Sequence, residues 1–135
     1  MTLRVIIDTN IIIDHLKGIH QASRQLREIE TGHLEGIIST ITVMELMAAP
    51  RMSDQRLEAI RGLLEILEHA PVDGRIAARA GALLSKYRSS HGLNPMDAII
   101  AATALISDCV LFTLNKKHFV FIEGLVTINP YMAEE

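Results

Sequence analysis

Leu3-Arg4-Val5-Ile6-Ile7-Asp8-Thr9-Asn10 is the stretch whose reading decides the fold. Leu3 to Ile7 is a short, mostly apolar run with β-branched residues, the pattern of a strand buried on both faces. It stops at an acid. A carboxylate at the edge of a core element is costly unless something pairs with it. Asp8 therefore either caps the next helix or has chemistry to perform. A cap has no need of Thr9 and Asn10, whose hydroxyl and amide are suited to steadying a carboxylate.

Outward from that stretch, strand and helix patterns alternate. A short helix is expected from about Asn10 to Lys17, closed by Gly18, and a second from about His20 to Thr31, ended by Gly32. Gly36 to Ser39 is the next strand. Thr42-Val43-Met44-Glu45 fits a capping box and opens a helix that stops before Pro50. Ser53 caps a longer helix with Leu57, Ile60, Leu63, Leu64 and Leu67 on one face. A brief strand at Ala70 to Val72 leads to Asp73, the cap of a helix carrying Ile76, Ala80, Leu83, Leu84 and Tyr87. Asn94-Pro95 starts a helix that runs to about Ile106. Strands at Cys109 to Leu114 and Leu125 to Ile128 complete the chain. Such alternation implies an α/β fold, a parallel sheet wrapped by helices on both faces. Ligands of such sheets bind beyond the carboxyl ends of the strands, where Asp8 and Thr113-Leu114-Asn115 fall.

The 135 residues suit one domain, 1–135, and no linker, repeat or low-complexity segment divides them. Almost half the chain is apolar (49%) with 4% aromatic, so aliphatic packing dominates. A mean hydropathy of +0.26 leaves two options, a core that absorbs every apolar residue or a surface covered by a partner or a second copy in a homodimer. A net charge of −3 gives no electrostatic case for a general nucleic-acid coating protein. Cys109 is the only cysteine; a buried free thiol excludes a disulfide scaffold and fits a reducing compartment. Asp8 and Asp14 interrupt the first apolar stretch, so no signal peptide is expected. The longest uncharged run, between Asp97 and Asp108, is about half a membrane-spanning length. A soluble, cytoplasmic protein is the expectation.

Two further acids match Asp8. Glu45 lies behind the run Gly36 to Ser39, and Asp97 stands at the head of the apolar helix beginning Ala98-Ile99-Ile100. Each has a local explanation: Glu45 as the third residue of the capping box, Asp97 as a first-turn acid favoured by the helix dipole. Brought together by a parallel sheet, all three would repel unless a cation sat between them. That points to a hard metal ion on oxygen ligands and to phosphoryl chemistry.

Four segments carry a resemblance over nearly the whole chain. They are Ile6-Ile7-Asp8-Thr9-Asn10, Ser39-Thr40-Ile41-Thr42-Val43-Met44-Glu45-Leu46, the run from Asn94-Pro95-Met96-Asp97 to Ala104, and Leu111-Phe112-Thr113-Leu114-Asn115-Lys116-Lys117-His118-Phe119. Together they resemble the PIN-domain ribonucleases, and within them the VapC toxins of toxin–antitoxin pairs. The resemblance implies a three-layer α/β/α domain that binds Mg2+ or Mn2+ and cleaves RNA, with Asp8, Glu45 and Asp97 as the catalytic, metal-binding carboxylates. Thr9, Asn10, Thr113 and Asn115 would support them. Where the family often carries a fourth acid, this chain has Asn115, a neutral oxygen donor, which weakens the case for a tightly held second metal. Asp108 is no substitute, since it falls at the opposite end of the sheet. The resemblance also implies an antitoxin whose helix lies across the groove between the helices around Glu45 and Leu57 to Leu67.

Lys116 and Lys117 are the expected RNA rim, with Lys86 and Arg88 a weaker second group. His118 is expected to be structural, and Asp14 to lie on a solvated helix face. Met52 suits an adaptable groove, whereas core packing is expected of Met44 and Met47. Two other readings remain: a small phosphatase or phospho-receiver, disfavoured because no second Asp adjoins Asp8, and a catalytically idle PIN-like module that binds RNA or protein.

Overall fold

A computed structural model describes residues 2–132; residues 1 and 133–135 of the 1–135 span lie outside the described part. Five strands form one parallel sheet in the order β3-β2-β1-β4-β5: β1 Leu3–Ile7, β2 Leu34–Ser39, β3 Glu68–Ala70, β4 Val110–Phe112 and β5 Thr127–Ile128. The helices are α1 Thr9–Leu16, α2 His20–Glu30, α3 Thr40–Met47, α4 Asp54–Ile66, α5 Gly74–His91 and α6 Pro95–Ser107.

β1 is central because its side chains feed two cores at once. Ile6 packs with Ile37 and Leu111 against residues of α5 and α6. Val5 and Ile7 point the other way, joining Ile38 and Phe112 against residues of α1, α2 and α4. This period of two, apolar on both faces, produces the three-layer α/β/α arrangement. Val5, Ile6 and Ile7 are wholly buried, and truncating either isoleucine to alanine would cost about 2–5 kcal/mol. On the second face the backbone comes close at Gly36, where a Cβ would meet Ile29 Cδ1 at 2.5 Å.

Several expected elements differ. α3 starts at Thr40, not Thr42: Ser39 at the strand end has an extended backbone and its hydroxyl accepts the Ile41 N–H at 3.1 Å. The Thr42–Glu45 capping box therefore does not form, and Thr42 is fully buried inside the helix. β3 lies two residues earlier than Ala70 to Val72, because Glu68 pairs in register with Ile37 and Pro71 has no N–H to continue the ladder. An edge strand tolerates polar residues, and Glu68 accepts a hydrogen bond from Arg4 at 2.9 Å. β4 and β5 are shorter than the apolar runs that contain them. Met44 and Met47 are not core: they are 53% and 39% exposed, because Thr42 and Leu46 take the inward face of α3. Met52 does pack against the second core. Cys109 is half-buried, its thiol pushed up by burial. No helix among the described residues is long and apolar enough to cross a membrane.

Candidate active site

The parallel pairing of β1 with β4 builds the site. Ile7 registers with Phe112, and the next residue, Asp8, donates its N–H to the Phe112 carbonyl at 2.9 Å. Asp8 and Thr113 thus leave adjacent strand ends side by side. Thr113 Oγ1 donates to Asp8 Oδ2 at 2.8 Å, while the Thr9 N–H donates to Oδ1 at 2.9 Å. Asp8 does cap α1, but it is only 7% exposed, far drier than a cap requires. Burial pushes its carboxyl above the usual range, and the negative charges of Asp97 and Glu45 push the same way. The hydrogen bonds from Thr113 and Thr9 oppose that rise. The Asn115 N–H donates to Thr113 Oγ1 at 3.1 Å, which turns the hydroxyl proton toward Asp8.

Glu45 reaches the site by a separate hydroxyl chain. Thr9 Oγ1 donates to Glu45 Oε1 at 2.6 Å and lies 2.9 Å from Thr42 Oγ1. With the Thr9 proton spent on Glu45, Thr42 must donate to Thr9. Thr9 therefore steadies Asp8 through its backbone and Glu45 through its side chain, and the expected hydroxyl contact with Asp8 is not made. Asn10 is exposed and makes no hydrogen bond to Asp8. Thr42, read from the sequence only as a cap, joins this hydroxyl chain; its spacing of three from Glu45 places both on one helix face.

Asp97 sits in the first turn of α6. Its N–H donates to Asn94 Oδ1 at 2.9 Å, and Asn94 Nδ2 returns a bond to Asp97 Oδ2 at 3.1 Å. His118 Nδ1 lies 3.4 Å from the same oxygen. Burial raises the Asp97 carboxyl, opposed by His118 and Asn94. His118, expected to be structural, thus contacts Asp97 directly. Lys116 and Lys117 are exposed on the short 3-10 turn Lys116–His118, next to that contact. Lys86 is engaged elsewhere, 3.7 Å from Glu123 and 5.3 Å from the centre of the Tyr87 ring. Asp14, expected on a solvated helix face, is half-buried and accepts the Tyr131 hydroxyl at 2.8 Å. Asp108 ends α6 before β4, away from Asp8 as expected.

Asp8 thus feels both other acids, but each carboxylate also has protein donors of its own. Among the described residues no three His, Cys, Asp or Glu side chains are gathered closely enough to form a ready metal cage. The donor chemistry nevertheless suits a hard cation: carboxylate oxygens, and an Asp8 whose carboxyl is raised first by burial and then by the neighbouring acids Asp97 and Glu45.

The family model of the PIN domain matches residues 5–122. The chain belongs to the PIN-domain family. Among relatives of this PIN domain, ribonuclease VapC19 of Mycobacterium tuberculosis (strain H37Rv) is 37% identical over 115 residues, covering 84% of this chain and 90% of that protein. A toxin–antitoxin complex from Klebsiella pneumoniae contains a chain of 34% identity and TM-score 0.75, covering 94% of this chain and 98% of its own. A DNA-bound VapBC from Salmonella typhimurium matches at 25% identity and TM-score 0.79, with the same coverage. The PIN domain described here is VapC-like in sequence and in fold.

Proposed function

We propose that this VapC-like PIN domain is an endoribonuclease dependent on Mg2+ or Mn2+, the toxin of a toxin–antitoxin pair, acting in the cytoplasm as one domain over 1–135. The observation that carries the reading is Asp8, a dry carboxylate at the strand end whose pKa is raised by burial and by two neighbouring acids. Asp8, Asp97 and Glu45 would hold the cation. When bound, such a cation activates water and neutralises phosphate charge during cleavage.

The chain's own residues do the positioning. Thr113 fixes one oxygen of Asp8, and the Thr42–Thr9 pair fixes one oxygen of Glu45. Asn94 and His118 both engage Oδ2 of Asp97. Asn115, beside Thr113, offers a neutral oxygen where a further acid would add charge. Lys116 and Lys117, exposed on the turn that carries His118, would rim the cleft and receive the RNA backbone. The toxin–antitoxin and VapBC relatives support an antitoxin partner for this chain, and a homodimer is part of the same proposal.

The test is cleavage of a mixed structured RNA pool with and without Mn2+, beside Asp8→Asn purified identically. Metal-dependent cutting that vanishes in the variant is the expected result. No cutting by wild type at any Mg2+ or Mn2+ concentration would instead favour the idle RNA- or protein-binding module.

A further inference from the structure

Beside Asp97 opens a cavity of about 170 Å3 whose lining includes His91, Gly92, Asn94, Lys117 and His118. It is smaller than the roughly 300–1,000 Å3 of pockets for drug-sized ligands, and suits one flat group. One wall is unusually well fixed. The His91 ring stacks on Phe121 with centroids 4.4 Å apart and planes 15° apart. Tyr87 meets His91 edge-on at 5.7 Å and Phe121 at 5.2 Å. Ser90 Oγ lies 2.7 Å from His91 Nδ1, which limits rotation of the ring. Gly92, at φ +70°, makes the left-handed turn that ends α5 directly behind it. None of the hydrogen bonds that position the three carboxylates uses His91.

An exposed aromatic ring held by its neighbours, a lysine and Asp97 around one small cavity match the needs of a nucleotide in single-stranded RNA. Bases stack on aromatic faces largely without regard to sequence, and lysine takes the adjoining phosphate. We infer that this cavity receives the base of a nucleotide flanking the scissile phosphate, with His91 as its stacking wall and Lys117 on its backbone. The inference rests on the RNA-cleaving reading and adds to it a base-binding subsite. His91 and Lys117 are positioning residues here, since neither touches the reacting atoms.

Binding of a short, dye-labelled single-stranded RNA in EDTA, where metal-dependent cutting is suppressed, tests this without an activity readout. His91→Ala should weaken binding about tenfold while leaving the slope of log affinity against log salt unchanged. His91→Phe, which keeps the π-face, should restore it. Lys117→Ala should lower the salt slope by about one. An abasic site moved along the RNA should weaken wild-type binding most at one position and make no difference there to His91→Ala. Wild-type affinity in a folded His91→Ala protein, or an abasic penalty that survives that substitution, would overturn the subsite. Should His91→Ala fail to fold, the abasic scan on wild type and on His91→Phe decides, and a flat profile in both overturns it. If wild type cuts RNA but these variants bind normally, only the subsite falls; if wild type neither binds nor cuts RNA, the nuclease reading falls with it.

Discussion

Asp8 and Asp97 are the same residue type at the same end of the sheet, yet they are held in opposite ways. Asp8 is locked between two strand ends, with Thr113 on one oxygen and a backbone N–H on the other, and is almost dry. Asp97 hangs on the first turn of a helix, clasped by Asn94 and His118, with more of its side chain open to water. One half of the site is part of the core and the other half is part of the surface. On the proposed function, the difference is a division of labour in which Asp8 would fix the position of the cation and Asp97 would adapt to it.

The largest expected effect would erase the contrast. Asp97→Asn should lose cleavage by several orders of magnitude, as Asp8→Asn should, since a shared cation needs both charges. Retention of most activity by Asp97→Asn, in turnover assays with Mn2+, would break the shared-site account.

Stability should instead separate the two halves. Thr113→Val removes a donor from a buried carboxylate and should cost about 1–3 kcal/mol in denaturant unfolding. Asn94→Ala removes a helix cap in the wetter half and should cost about 1 kcal/mol. Thr113→Val costing less than Asn94→Ala would contradict the ranking.

The pH dependence sharpens the same point. Both carboxyls are raised above 3.8 in the folded protein, chiefly by burial. Through the window from that value to the raised one, the folded state holds more protons than the unfolded state. Metal-free stability should therefore be greatest below the window and fall as pH rises through it. Asp8→Asn should flatten this decline and raise Tm at neutral pH, and Asp97→Asn should do so less. Equal slopes in wild type and Asp8→Asn, measured by thermal melts across the acid range without metal, would remove burial as the dominant cause. Smaller again, Asn115→Asp should tighten divalent binding, and unchanged affinity would show that this position does not face the cation.

The core half was also the legible half. A strand buried on both faces leaves a continuous apolar run, and Asp8 is conspicuous because it ends one. Asn94-Pro95 likewise announces the start of α6, since a side-chain cap followed by proline is a local signal. Glu45 shows where sequence reading runs out: a capping box and a long-range partner look alike in one dimension, and only the fold shows Thr42 and Thr9 meeting beside Glu45. The contact between His118 and Asp97 is invisible in the sequence because 21 positions separate them, and the turn after β4 closes that distance. β3 escapes sequence reading because an edge strand needs no apolar alternation. Met44 and Met47 are exposed where core packing is expected, because hydropathy says nothing about which side of a helix faces inward.

The central claim is that two differently built halves make one cation site. Mn2+ titration calorimetry on metal-free wild type, Asp8→Asn and Asp97→Asn tests it most directly. A binding event seen in wild type and abolished in both variants is the predicted result. A variant that keeps wild-type Mn2+ affinity would contradict it, showing that its carboxylate is held by the fold for another reason.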